Sequence, residues 1–122
     1  MIPLEKSMNK TMTEQWRPII NMDGCYSISN LGRVRSEERF TLHSSGKLRL
    51  VNTRILRGYI KDTEYRAVQL CRDGIRQNFQ IHRLVAESWI VGRTLKRSEV
   101  VVHRDKDRTN NAVTNLEVRS ER

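Results

Sequence analysis

The segment from Val101 to Val118 holds the residues whose types and spacing are best suited to chemistry. His103 ends a β-branched run, Asn110 and Asn111 lie in the polar loop that follows, and Asn115 precedes a second apolar run. A loop of this length can fold back, so that the Asn115 side chain accepts a hydrogen bond from one imidazole nitrogen and leaves the other nitrogen free as a base. The spacing predicts a general base at His103 that is oriented by Asn115.

Two strands and a helix must position these side chains. The β-branched run 99–103 and the run 116–118 predict strands on either side of the polar loop 104–114. Before them, residues recur at helical spacing, which predicts a helix that begins near His82 and ends at Gly92. The inward face of this helix comprises Ile81, Leu84, Val85, Ser88 and Trp89.

Short strands are predicted over the preceding part of the chain. Residues 16–20, 26–28, 33–35, 55–60, 65–71 and 77–80 favour strands, and turns at 23–24, 30–32 and 72–74 connect several of them. Residues 37–53 are polar and are predicted to be irregular, with a loop tip at 44–46. Four aromatic residues are expected in the core rather than stacked on bases: Trp16, Tyr26, Phe79 and Trp89.

The balance of charge is strongly basic. The 122 residues include 23 lysines and arginines against 14 aspartates and glutamates, which gives a net charge of +9. Because the basic residues are scattered instead of forming a tail, they predict a folded surface that follows nucleic-acid phosphates. A charge that only keeps the protein soluble, acidic partner proteins and a membrane surface are the alternative explanations.

Length and composition predict one compact, soluble domain. Hydrophobic residues make up 37% of the chain, which excludes collagen-like, mucin-like and wholly disordered classes. Uncharged runs are far shorter than the roughly 20 apolar residues of a membrane span. Charges within residues 1–10 argue against a secretory signal. Cys25 and Cys71 supply neither a disulfide framework nor a four-cysteine zinc site, so we expect buried or half-buried thiols and a cytoplasmic protein.

Seven residues match, in order, the HNH nuclease motif, in which a histidine is followed by an acidic residue, an Asn-Asn pair and an Asn-Leu-Glu run. They are His103, Asp105, Asn110, Asn111, Asn115, Leu116 and Glu117. Residues 81–86 are similar to the helix that precedes this motif in phage and intron-encoded HNH homing endonucleases. Residues 16–19, 26–30 and 32–36 resemble a nuclease-associated modular motif that is commonly fused ahead of such nucleases. The resemblance covers residues 14–118.

The resemblance implies an α+β fold in three parts. A flexible leader, 1–13, precedes a strand-rich nuclease-associated module, 14–80. A ββα-metal core, also called a His-Me finger, follows over residues 81–122. We expect its final helix to be short or missing, because the sequence ends soon after the second strand.

In function, the resemblance implies binding of double-stranded DNA and metal-dependent phosphodiester hydrolysis by nicking. His103 is then the general base with Asn115 as its partner, and the ion is Mg²⁺ or Mn²⁺ rather than zinc. The supporting residues are His82, Asp105, Asn110 and Asn111, with His82 packing or hydrogen-bonding against the motif. The expected DNA contacts are Arg33, Arg35, Arg57, Lys61, Arg83 and Arg104. A phage-encoded protein of this kind works in the host cytoplasm.

The sequence departs from the family pattern at a metal-ligand position. The residue directly before the histidine usually binds the ion, and Val102 offers no lone pair there. Asp105 is the alternative ligand, although its place in the motif also suits bracing of the loop. An alternative function is therefore a degenerate, non-cleaving HNH domain that binds DNA or a viral or host protein. A transcription regulator with a basic groove-binding ribbon fits the charge but leaves the spacing of His103 and Asn115 unexplained.

Overall fold

The computed structural model describes residues 13–60 and 64–121, which form strands and one helix in an α+β arrangement. The strands are β1 (Trp16–Pro18), β2 (Tyr26–Ser29), β3 (Val34–Ser36), β4 (Arg39–Leu42), β5 (Leu48–Val51), β6 (Arg54–Leu56), β7 (Tyr59–Ile60), β8 (Arg66–Arg72), β9 (Ile75–Gln80), β10 (Glu99–His103) and β11 (Leu116–Ser120). The helix α1 (Ile81–Val85) continues as a π-helical turn (Ala86–Val91), and a 3-10 turn covers Val113–Asn115. Apart from Thr13, the predicted leader lies outside the described residues. No helical segment in this part of the chain is both long and apolar enough to cross a membrane.

A four-stranded antiparallel sheet forms where hairpins were predicted. Its order is β1-β2-β3-β6, and every residue of the central strand β2 is buried. Asp23 and Gly24, before β2, have φ angles of 54° and 78°, the left-handed conformation that an Asp-Gly turn adopts readily. Gly32, between β2 and β3, has a φ angle of 90°. The turn residues therefore fix the hairpin geometry, as the sequence predicts.

The segment 37–53 forms a hairpin, so its prediction as irregular is wrong. Strands β4 and β5 pair antiparallel, with Phe40 opposite Leu50, and the predicted loop tip 44–46 lies between them. Apolar residues recur at every second position in both strands, which is a strand signal. The many polar neighbours masked that alternation in the sequence.

The helix lies where the periodicity predicts it, directly after the three-stranded sheet β7-β8-β9. Ile81, Leu84 and Val85 are buried on its inward face. The helical segment ends at Gly92, which takes a φ angle of 72°. Glycine adopts this left-handed conformation without the steric cost of a side chain, so it suits the end of a helix.

Hydrogen bonds attach the π-helical turn to the first sheet. The Ser88 hydroxyl donates to the carbonyl of Pro18 at 3.1 Å, and the indole N–H of Trp89 donates to the carbonyl of Ile28 at 3.0 Å. The Arg17 guanidinium lies 4.0 Å from the Trp89 ring centroid and donates to the Ser88 carbonyl at 3.0 Å. These contacts hold the end of the helix against β1 and β2.

One hydrophobic core draws on both the strand-rich module and the motif that follows it. Its buried members are Ile19, Met22, Tyr26, Ile28, Val34, Val68, Leu70, Ile81, Leu84, Val85 and Leu116. Leu116 of β11 therefore packs in the same core as Ile28 of the first sheet. Burial of apolar surface stabilises the fold by roughly 25 cal/mol per Å², so this shared core couples the two parts energetically.

Three of the four aromatic residues lie in or against this core, as predicted. Tyr26 is buried, and Phe79 and Trp89 are partly buried against the core. Trp16 is not part of it, so its predicted placement is wrong. Trp16 belongs to the edge strand β1, and the guanidinium of Arg35 lies 4.2 Å from its ring centroid. The cation covers a ring that the edge strand leaves half-exposed.

Strands β10 and β11 form the predicted hairpin around the motif loop. They pair antiparallel, with Val102 opposite Glu117 and His103 opposite Leu116. The loop therefore leaves and returns at one end of the ribbon. This register places His103 and the residues that precede Leu116 side by side.

Candidate active site

His103 is buried at the end of β10 and is hydrogen-bonded to Asn111. Its Nε2 lies 2.8 Å from Asn111 Oδ1. An amide oxygen only accepts hydrogen bonds, so Nε2 of the neutral ring donates and Nδ1 carries the lone pair. Within residues 13–60 and 64–121, Nδ1 has no hydrogen-bond partner. The ring is therefore held in the tautomer that accepts a proton at Nδ1.

The Asn115 amide makes no hydrogen bond to the imidazole among the described residues, so its predicted role as the partner of His103 is wrong. Its Oδ1 accepts a hydrogen bond from the Asp105 amide at 3.1 Å. Its Nδ2 donates to Asp105 Oδ1 and to the Asn110 carbonyl, both at 2.9 Å. The β10–β11 register places Asn115 beside the start of the loop, where backbone groups need partners. Asn115 braces the loop instead.

Asp105 accepts hydrogen bonds through both carboxylate oxygens. Besides the bond from Asn115, Oδ2 accepts from Asn110 Nδ2 and Oδ1 accepts from the Asp107 amide, both at 2.8 Å. Hydrogen bonds from Asn110, Asp107 and Asn115, in that order of strength, hold the pKa of Asp105 below its usual value. Asp105, Asn110 and Asn115 thus form one polar network that shapes the loop.

Three aromatic rings meet at His103. The ring of His82 stacks on Tyr65 with centroids 4.7 Å apart, and Tyr65 and His82 lie 5.8 and 5.1 Å from the His103 centroid. His82 is buried, and its Nδ1 has no partner among the described residues. Burial, followed by the proximity of His103 and Arg83, lowers the pKa of His82 to about 4. His82 is therefore neutral at pH 7 and packs against the motif.

An open recess of about 330 Å³ lies beside His103. It is lined by Tyr65, Val101, Val102, His103, Lys106 and Arg108. The guanidinium of Arg108 lies 4.9 Å from the Tyr65 ring centroid. Two of the lining side chains are cationic and one is a histidine with a lone pair, a combination that suits a phosphate group.

Known proteins are similar to this chain in sequence and in fold. Residues 14–71 match the NUMOD4 motif. The chain is 33% identical over 102 residues to the DNA endonuclease I-HmuI of Bacillus phage SP01, a match that covers 84% of this chain and 50% of that protein. It is 32% identical over 106 residues to an HNH endonuclease of Acanthamoeba polyphaga mimivirus, which covers 87% of this chain and 27% of that protein. The chain is therefore a homologue of HNH homing endonucleases.

The fold of this chain is similar to a solved structure that describes DNA binding and cleavage by the homing endonuclease I-HmuI. The TM-score is 0.65 at 32% identity, and the match covers 87% of this chain and 52% of the solved chain. The chain spans about half the length of I-HmuI and about a quarter of the length of the mimivirus protein.

Two of the arginines that the HNH resemblance assigns to DNA are engaged by carboxylates. Arg33 Nε donates to Glu14 at 2.8 Å, and Arg35 Nε donates to Glu37 at 2.8 Å. The hydrogen bond from Arg33 lowers the pKa of Glu14. A phosphate that binds either arginine must therefore compete with an ion pair.

The other predicted DNA contacts are spread over the HNH chain. Arg57 and Arg104 are exposed, and Lys61 lies outside the described residues. Arg83 is half-buried and lines a separate recess of about 550 Å³ that holds no residue of the HNH motif. Sequence reasoning missed Lys106 and Arg108, the cations that share the recess with His103.

The described residues do not fit the divalent ion that the HNH resemblance implies. Within residues 13–60 and 64–121, no three histidine, cysteine or carboxylate side chains lie together where they could hold a metal ion. Val102 has no donor atom, and the Asp105 oxygens already accept hydrogen bonds from amide groups. The geometry favours loop bracing by Asp105 over metal ligation.

Proposed function

We propose that this chain binds double-stranded DNA and hydrolyses a phosphodiester bond, with His103 as the general base. The hydrogen bond from His103 Nε2 to Asn111 carries the proposal, because it leaves the lone pair on Nδ1. In the reaction, the oxygen of a water forms a new bond to phosphorus, and a water proton passes to Nδ1. The bond from phosphorus to the 3′ oxygen breaks, and the leaving oxygen takes a proton from solvent.

The charge of the chain supports DNA as the substrate. The net charge is +9, and Lys106 and Arg108 line the same recess as His103. Cations at that place bind a phosphate and hold its phosphorus near the base. Contacts to phosphates carry no sequence information, so the proposal covers the chemical class of substrate and not a target site.

Mg²⁺ or Mn²⁺ belongs to this proposal through the family resemblance alone. The described residues do not supply a ligand set, so we assign the ion no position and no step. Residue Val102 is the specific obstacle, because the family usually places a ligand directly before the histidine.

A second candidate function is binding without cleavage, to DNA or to a viral or host protein. Two observations favour it: the Val102 side chain has no atom that can bind a metal, and the Asp105 carboxylate already accepts three hydrogen bonds within the loop. This candidate keeps the basic surface and needs no reaction at His103.

Nicking of supercoiled plasmid with Mg²⁺ or Mn²⁺ separates the two functions, provided that duplex binding is measured on the same samples. We expect cleavage by the wild type, a loss of roughly two to four decades in His103→Ala, and unchanged binding in both. His43→Ala is the matched control, because His43 is exposed in the β4–β5 loop. A wild type that binds DNA and is as inert as His103→Ala contradicts the proposed cleavage and supports the binding function.

A further inference from the structure

We propose that the turn 30–32 of the NUMOD4 motif positions His103, acting through Asn111, and that Gly32 is the residue that permits this contact. The inference rests on the proposed function in one respect: His103 can act as the general base only in the tautomer that has a lone pair on Nδ1. NUMOD4 thereby contributes a positioning residue to the reacting group of the neighbouring HNH motif.

Gly32 lies so close to Asn111 that a side chain at position 32 would collide with it. A Cβ added at Gly32 would lie 2.8 Å from Asn111 Cβ, 2.9 Å from its carbonyl oxygen and 3.0 Å from its carbonyl carbon. Carbon atoms in van der Waals contact stand about 3.5–4.0 Å apart, so no side chain fits there. The backbone of Gly32 is thus pressed against the backbone of Asn111, where neither can yield as a flexible side chain does.

The turn is itself held in place. The hydroxyl of Ser29, which is fully buried, accepts hydrogen bonds from the Leu31 and Arg33 amides at 3.1 and 3.0 Å. The Asn30 carbonyl accepts a hydrogen bond from the Val113 amide at 2.8 Å. The turn therefore contacts the HNH loop at Asn111 and again at Val113, two positions further along.

The Asn111 amide makes one hydrogen bond among the described residues, between its Oδ1 and Nε2 of His103. Asn111 is buried, and its Nδ2 has no partner among the described residues. A rotated amide would present Nδ2 to His103, and the ring would then carry its lone pair on Nε2 and its proton on Nδ1. That tautomer has no lone pair on Nδ1 for the reaction. A fixed backbone at Asn111 keeps its side chain within hydrogen-bond distance of the ring, where Oδ1 lies 2.8 Å from Nε2.

The tautomer of His103 is measured directly by ¹⁵N NMR of histidine-labelled protein at alkaline pH, without DNA or metal. We expect the wild type to show a protonated Nε2 at His103, and Gly32→Ala to shift both ring nitrogens toward values for mixed tautomers. The three histidines of the chain are assigned by His43→Gln and His82→Phe. Because the readout needs no cleavage, a failed nuclease assay does not affect it.

Gly46→Ala is the matched control for backbone strain. Gly46 has a φ angle of 88°, close to the 90° of Gly32, and a Cβ there meets nothing within 4 Å. It carries the same conformational cost without the collision, so we expect the wild-type His103 signals. Folded Gly32→Ala protein with wild-type ring-nitrogen shifts at His103 would overturn the proposal.

A second variant covers the case in which Gly32→Ala does not fold. Val113→Pro removes the amide that donates to Asn30. Val113 is the first residue of the 3-10 turn, and Ala112 before it is extended at φ −64° and ψ 142°, a conformation that suits a following proline. We expect the His103 shifts to move in the same direction as in Gly32→Ala. Unchanged shifts in this variant also contradict the proposal.

Discussion

The imidazole rings of His82 and His103 lie 5.1 Å apart, centroid to centroid, with an angle of 53° between their planes. Of these two rings, only that of His103 is hydrogen-bonded to a side-chain oxygen, Asn111 Oδ1, among the described residues. His82 is buried without a partner for Nδ1, and burial is the main cause that lowers its pKa from 6.5 to about 4. Their surroundings therefore give the two neighbouring histidines different roles: His82 packs as a neutral ring, and His103 is oriented by a hydrogen bond.

The low pKa of His82 predicts that the fold loses stability in mild acid. Between the ordinary value of 6.5 and about 4, the unfolded chain binds a proton at His82 and the folded chain does not. The free energy of unfolding is therefore highest above pH 6.5 and falls as the pH drops toward 4, by about 3 kcal/mol from this residue. Urea unfolding at a series of pH values measures this fall in the free energy of unfolding.

The contribution of His82 is isolated by comparing variants. His82→Phe keeps a ring in the stack and cannot be protonated, so we expect a flatter pH profile than that of the wild type. His43→Gln removes an exposed histidine and should leave the wild-type slope. If His82→Phe retains the wild-type dependence between pH 6.5 and 4, the burial of a neutral His82 does not control acid stability.

Asn115→Ala should destabilise the protein. The substitution removes three hydrogen bonds, to the Asp105 amide, the Asp105 carboxylate and the Asn110 carbonyl. We expect a loss of about 1–2 kcal/mol, because the Asp105 amide loses its acceptor, and a fall in Tm of roughly 4–8 °C. The tautomer of His103 should stay as in the wild type. Thermal unfolding and histidine NMR together distinguish this role from that of an orienting partner.

The sequence predicted the residues of the site better than their contacts. Asn110, Asn111 and Asn115 have the same chemistry, and loop length alone does not tell which of them reaches His103. The choice is made by the β10–β11 register, which sends Asn115 to Asp105, and by the distant turn at Gly32, which fixes Asn111. Contacts between segments so far apart in the chain leave no periodic signal in a single sequence.

The elements were predicted where local signals are strong. The helix 81–91 and the hairpin 99–120 follow from clear periodicity, and the turn at Gly32 follows from its residue types. Tyr65 was predicted only as part of a strand, because nothing in its neighbourhood marks it as a companion of His82. The edge position of Trp16 depends on strand order, which local pattern does not determine.

Duplex DNA binding should weaken steeply with salt. With about five phosphate contacts, we expect the affinity to fall by roughly two to three decades between about 50 and 200 mM salt, because bound cations release counterions from the DNA. Lys106→Gln should lower the slope by about one, since Lys106 lines the recess beside His103. Fluorescence anisotropy with a labelled duplex measures both quantities.

Arg93→Gln is the control for that experiment. It removes the same unit of charge, but Arg93 is paired with Glu99 at 2.8 Å and does not line the recess. We expect a slope equal to that of the wild type. A slope that does not change in either variant, or an affinity that does not respond to salt, is incompatible with phosphate contacts at the recess.

Tyr65 should control the pKa of His82. The two rings are stacked with centroids 4.7 Å apart, and desolvation is the first cause of the low pKa of His82. Tyr65→Ala admits water to one face of the imidazole, which favours its charged form, so the pKa of His82 should rise from about 4 toward 6.5.

Tyr65→Phe is the control, because it keeps the aromatic ring and should leave the pKa of His82 low. Titration of the histidine ring protons by NMR gives both values, and the loss of stability between pH 6.5 and 4 should shrink in Tyr65→Ala alone. A low His82 pKa in Tyr65→Ala would show that other neighbours desolvate the ring.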